Sequence, residues 1–299
     1  LTQAFLNTLA QSMISTVSTL FFGLLGAMGL SSVSDSKKFR FYQAACLLPS
    51  FLPGLFYVLA LFEIFSPFPY GLRGIVLSHT LMNMGLASVF LHSFWSQRWQ
   101  THAELAYLEG STKFLFFKKM IRAFRAELFL LFLFFFTYFF TSFSIPLLVG
   151  QQTLTLETLI YEKLKLTGTF NDSVWISLFE MAFLFILLLF YRPIKLQSTA
   201  LPNPIRLLRS PIMKVLLLVP AAAYIFGSVL AVIRFFSNKV FYIHPEFLQL
   251  FLNSVFVSLS VAALLIIFFV ILLLNYENLK LQRLILSYIP LSSVLFAMS

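Results

Sequence analysis

Eight apolar stretches, each about long enough to cross a lipid bilayer, dominate this sequence. A spanning α-helix needs about 20 apolar residues because the hydrocarbon core is about 30 Å thick. The stretches lie at roughly 8–30, 41–62, 72–95, 126–149, 173–191, 212–233, 249–274 and 283–299. Backbone N–H and C=O groups find no water in lipid, so each stretch is expected to be helical. The expected fold class is therefore all-α, a polytopic transmembrane helical bundle with about eight spans in this chain. A β-barrel does not fit, because its strands alternate apolar and polar residues and these runs are continuous. Composition agrees: charged residues make up 11% of the chain, against about 25% in soluble domains. Such a chain cannot cover itself with polar surface, and the lipid bilayer is its expected solvent. The 39 phenylalanines suit lipid-facing and interhelical packing.

The net charge of +10 raises the question of nucleic acid, and the placement of the charges answers it. Lys and Arg collect in cytoplasmic loops of membrane proteins. The connections at 31–40, 96–125, 192–214 and 275–283 hold sixteen of the 21 basic residues. The intervening connections hold Arg73, Lys163, Lys165, Arg234 and Lys239. Rich and poor loops alternate strictly, so the rich loops are expected to be cytoplasmic, and no nucleic-acid partner is needed. Segment 96–125 is long and reads as two short helices around Gly110. Segment 150–172, on the opposite side, contains Thr155 to Tyr161, which is too short and polar to span and reads as an interfacial or re-entrant helix. Pro202, Pro204 and Pro211 mark 193–211 as an irregular cytoplasmic linker.

A repeat divides the chain. Residues 3–12 (QAFLNTLAQS) and 249–258 (QLFLNSVFVS) share Gln3/Gln249, Phe5/Phe251, Leu6/Leu252, Asn7/Asn253, Thr8/Ser254 and Ser12/Ser258. Each opens a long apolar stretch, followed by a basic loop and a proline-bearing stretch (Pro49 and Pro290). Equal order on both sides indicates a parallel internal repeat. The expected organisation is a first core repeat at 1–192, the linker 193–211, and the beginning of a second repeat at 212–299. Asn7 and Asn253 are expected to pack equivalently. No cleavable signal segment is visible. Both ends lie in apolar stretches, so an intact protein is expected to continue beyond Leu1 and Ser299, and this chain is not expected to transport by itself.

The segment from Ala103 to Met120, AELAYLEGSTKFLFFKKM, carries a resemblance. It is similar to the cytoplasmic EAA loop of type I ABC importer permeases. Glu104 takes the position of the Glu in that pattern, Ala106 the second Ala, Gly110 the Gly and Phe117 the Phe. Leu105 stands in place of the first Ala, Met120 in place of Ile and Ala123 in place of Pro. A glycine permits a tight turn, and Phe114 and Phe117 form an apolar stripe on the second helix. The resemblance extends to Leu48–Leu55 (LPSFLPGL), to Tyr70–His79 with Asn83, and to Thr155–Tyr161. Within the family it is nearest to the fused, two-repeat thiamine and ferric-iron permeases, with the thiamine type ahead on Tyr70–His79 and Asn83. Gly85 departs from a proline usual in that family.

The resemblance implies a type I ABC importer permease fold in a bacterial inner membrane. It implies cytoplasmic ABC ATPase subunits docking on the loop around Gly110 and a periplasmic substrate-binding protein delivering the solute. No cofactor is expected in this chain. ATP would be bound by the partner subunit, because no phosphate-binding Gly-rich loop with Lys-Ser/Thr occurs. The chain is thus expected to be a translocation subunit and not an enzyme.

Three residues within spans are candidates for the translocation path. Glu180 is ionisable and lies inside an apolar stretch, where such groups face the bundle or a water-filled path. His79 and Asn83 are four apart and share a helix face. They either line a path or tie helices together through hydrogen bonds. His92, His102 and His244 are isolated and show no metal-ligand spacing, so no metal site is expected. Cys46 reads as a small buried hydrophobe.

Overall fold

In the computed structural model, residues 1–33, 36–51, 54–65, 67–98, 108–110, 124–165 and 168–188 are described, with scattered positions in 112–122 and 249–270. No strand occurs among them. Eight helices follow in order: α1 Thr2–Ser31, α2 Ser36–Phe51, α3 Gly54–Ile64, α4 Leu72–Arg98, α5 Arg125–Phe140, α6 Ser144–Val149, α7 Leu156–Lys165 and α8 Phe170–Leu188. Three are long and apolar enough to cross a membrane: Thr2–Ser31, Leu72–Phe94 and Phe170–Leu187.

These three match the predicted stretches at 8–30, 72–95 and 173–191. The stretch 41–62 is described as α2 and α3, with 52 and 53 outside the described residues, and Pro49 is accommodated within α2. The stretch 126–149 becomes α5 and the short α6, separated at Thr141–Phe143. The external segment forms α7, a ten-residue helix, in keeping with a non-spanning reading. The stretches 212–233 and 283–299, the linker 193–211 and most of the second repeat lie outside the described residues. Within 249–270 every described position is helical and exposed.

α1 packs most closely on α4, and also meets α5, α7 and α2. The buried residues of α1 are mostly small or polar: Thr8, Gln11, Ser12, Ser15, Thr16, Thr19, Gly23, Gly26, Ala27 and Ser31 among them. Its exposed side carries Leu6, Met13, Ile14, Val17 and Phe21. A soluble helix has the reverse pattern. Small residues inside and apolar residues outside are what lipid favours, since close backbone approach then drives association. At Gly23 a Cβ would fall 2.6 Å from the Ala87 Cβ, so the two helices touch where neither has a large side chain.

Three apolar cores hold the remaining elements. Ala27, Met28, Ala87, Leu91, Phe124, Leu131, Phe135 and Phe139 join α1, α4 and α5. Phe136, Phe140, Leu156, Ile160, Ile176 and Leu184 join α5, α7 and α8, with Ala4 from α1. Tyr57, Val58, Leu61, Ile75, Met82, Ile145 and Val149 join α3, α4 and α6. The start of α4 is tied down by Gly71 N–H donating to the Val149 carbonyl at 2.8 Å. Cys46 is buried, as expected.

Candidate functional site

The polar face of α1 continues into a seam of buried polar side chains against α4. α4, which packs along α1, buries Ser78, His79, Thr80, Asn83, Ser88 and His92 on several of its faces. Several polar atoms along the seam have no hydrogen-bond partner. They include Gln11 Oε1, the hydroxyls of Ser15, Thr16, Thr19, Ser78 and Thr80, and both ring nitrogens of His79. Buried polar groups in folded proteins are nearly always satisfied, so such a concentration marks a place where polar matter other than the local side chains is accommodated.

His79 and Asn83 are both 1% exposed. They share a face, as the spacing predicts, but the bond between them stays within α4: Asn83 Nδ2 donates to the His79 carbonyl at 3.0 Å. The His79 ring lies against the Phe139 ring, with centroids 4.6 Å apart. Gln11 Nε2 donates to the Phe139 carbonyl at 2.9 Å. Gln11 and His79 therefore converge on one residue of α5, from its backbone and from its ring.

The end of the seam at the start of α1 is closed by α7. Thr8 Oγ1 donates to the Ala4 carbonyl at 2.8 Å and accepts from Leu156 N–H at 2.8 Å. Asn7 Nδ2 donates to the Leu154 carbonyl at 2.9 Å. These two side chains pin the segment before α7 to the start of α1. Thr155 and Thr158 form a reciprocal cap, each backbone N–H directed to the other's hydroxyl at 2.8 and 3.5 Å, in the manner of a capping box. Asn253, the repeat counterpart of Asn7, is helical and exposed, and most of the second repeat around it lies outside the described residues.

Glu180 is fully buried on α8, and neither carboxyl oxygen has a hydrogen-bond partner. It lies outside the α1–α4 seam proper. Its buried stripe, Ser173, Ile176, Ser177, Glu180 and Leu184, faces α7, and its carboxyl interacts electrostatically with Glu157. Glu157 is itself fully buried. The interior orientation expected of Glu180 is thus observed, while its grouping with Glu157 was not anticipated.

The other end of the seam holds His92. Ser31 Oγ donates to the Ala27 carbonyl at 2.9 Å and lies 3.0 Å from His92 Nδ1. The hydroxyl has one hydrogen, so the His92 tautomer sets which of the two is the donor in that pair. The His92 ring also meets Phe39 at 5.1 Å. This links the ends of α1 and α4 to the first basic loop.

In the segment resembling a coupling loop, Glu104, Ala106, Phe114 and Phe117 lie outside the described residues. Gly110 is described: it has φ +69°, is exposed, and a Cβ there would meet nothing within 4 Å. The turn expected of it is present, and glycine is needed for its backbone angle rather than for space.

Gln11, Ser15, Thr16, Thr19 and Glu157 were not singled out from the sequence, and His92 was read only as an isolated histidine. The signal was available in α1, where Ser15, Thr19, Gly23, Ala27 and Ser31 recur every four residues. Together these features define a membrane protein, all-helical where described, with a polar interior. No family model, curated protein or solved structure matches the chain.

Proposed function

We propose that this chain is the membrane-spanning permease unit of an ATP-driven importer, of the type I ABC class. The carrying observation is the polar seam between α1 and α4, with its cluster of unpartnered groups around Gln11, Ser15, Thr19 and His79. Polar groups inside membranes are costly and belong to solute or ion pathways by default. The seam runs along two helices long enough to span, and its residues converge on Phe139.

The exposed left-handed turn at Gly110, between basic connections, supports a docking role for that loop. In this reading a cytoplasmic ATPase subunit seats there and drives alternation of access, and a periplasmic binding protein delivers solute to the side bearing α7. The membrane is a bacterial inner membrane, and ATP is bound by the partner. The solute is small, with thiamine ahead of ferric ion on the similarity of Tyr70–His79 and Asn83.

Reconstitution of the full-length protein with its ATPase and binding protein tests this. Gly110→Trp is expected to uncouple ATP hydrolysis from uptake; uptake with intact coupling in that variant removes the docking-loop reading. Thermal shift of the binding protein with thiamine and not ferric ion supports thiamine, and the reverse result supports iron.

A further inference from the structure

We propose that Glu180, Glu157 and Ser177 form a binding site for one alkali-metal cation where α1, α7 and α8 meet. The inference stands apart from the transport reading.

Glu180 is 0% exposed and both of its carboxyl oxygens lack a hydrogen-bond partner. Ser177 precedes it by three residues, so the two lie on one face of α8. Ser177 is 6% exposed and its hydroxyl is also unpartnered. The Glu157 carboxyl is buried and close enough to Glu180 to interact electrostatically. It is fixed in place by its neighbour, because Leu156 N–H is held by Thr8 of α1. A buried carboxyl either keeps its proton or, when ionised, is paired with a cation or coordinates a metal. Of the two lysines in the last turn of α7, Lys163 lies 3.8 Å from Asp172.

The donor set selects the ion. Oxygen donors suit hard cations. Among the described residues no group of three His, Cys, Asp or Glu side chains assembles, which disfavours calcium and transition metals. Phe183, three residues beyond Glu180 on α8, packs with Phe5 and Phe140 at centroid distances of 5.1 to 6.4 Å, so the surroundings are otherwise apolar. One monovalent ion balances the charge of one ionised carboxyl, the second carboxyl keeping its proton and the Ser177 hydroxyl adding a neutral oxygen donor.

A ligand that binds only the folded state raises thermal stability in a saturable way. The test is thermal unfolding of the purified full-length protein in detergent, titrated with NaCl or KCl. N-methylglucamine chloride holds ionic strength constant. The expected result is a saturable rise in Tm with sodium or potassium, shifted at least about tenfold in midpoint by Glu180→Gln and weakened by Ser177→Ala. An equal response in Glu180→Gln overturns the proposal. So does a wild-type protein indifferent to which chloride salt is present, a reading that needs no variant to fold. Stabilisation by acidification alone, with no alkali-ion effect, also overturns it, since a proton would then fill the site.

Discussion

At Gly23 the α1 backbone lies so near Ala87 that a single methyl has no room. Gly23→Ala is expected to destabilise the protein by about 1–3 kcal/mol through overpacking, read as a fall in Tm in detergent. Thr8 poses a different problem, because it satisfies the Leu156 N–H in a buried position. Thr8→Val keeps the shape and removes the acceptor, and leaving that N–H unmet costs about 1–3 kcal/mol. His79 should behave in the opposite way. Its ring nitrogens have no hydrogen-bond partner among the described residues, so His79→Phe is expected to leave Tm nearly unchanged or raise it. Uptake by the reconstituted complex should nevertheless fall at least about tenfold. A large loss of Tm with uptake retained would assign His79 to structure instead. Each of these residues could be read as noteworthy only in part from the sequence. His79 stood out as a polar residue within an apolar run, whereas the role of Thr8 depends on a segment some 148 residues away.

Among the elements, α7 is the one whose position rests on specific bonds rather than on length. It has ten residues, and isolated helices that short are marginal in water. It persists because Thr155 and Thr158 cap it, Leu156 is anchored to α1, and Leu156, Leu159 and Ile160 enter a core with Phe136 and Phe140. Thr155→Ala is expected to cost about 1 kcal/mol and to accelerate amide hydrogen exchange across Leu156–Lys165 more than in α4. Uniform acceleration in both helices would mean that the cap does not act locally. The segment's failure to span was legible from its polarity. Its docking against the start of α1 was not, because single hydroxyl and amide bonds leave no periodic trace.

For the whole molecule, the charge alternation makes a directional claim. Lys118 lies in the basic loop between α4 and α5, and Asp172 in the first turn of α8, next to the basic-poor connection. In a Cys46→Ser background, a cysteine at Lys118 is expected to react with an impermeant maleimide only from the cytoplasmic side. A cysteine at Asp172 is expected to react only from the opposite side. Labelling of both from one face would overturn the orientation. Cys46 is buried, and its replacement by serine of similar size should be tolerated.

The sequence by itself determined the solvent, the secondary-structure type and the orientation expected of the loops. These follow from the length of apolar runs and the position of lysines and arginines, properties that each residue carries regardless of its neighbours. It also marked Glu180, His79 and Gly110 as departures from their surroundings. The tertiary structure alone decided which polar groups meet. The convergence of Gln11 and His79 on Phe139, the anchoring of Leu156 by Thr8, and the approach of Glu157 to Glu180 all join residues distant in the chain. Such pairings depend on helix rotation and crossing, which small residues such as Gly23 and Ala87 set through close packing, and apolar length does not encode them.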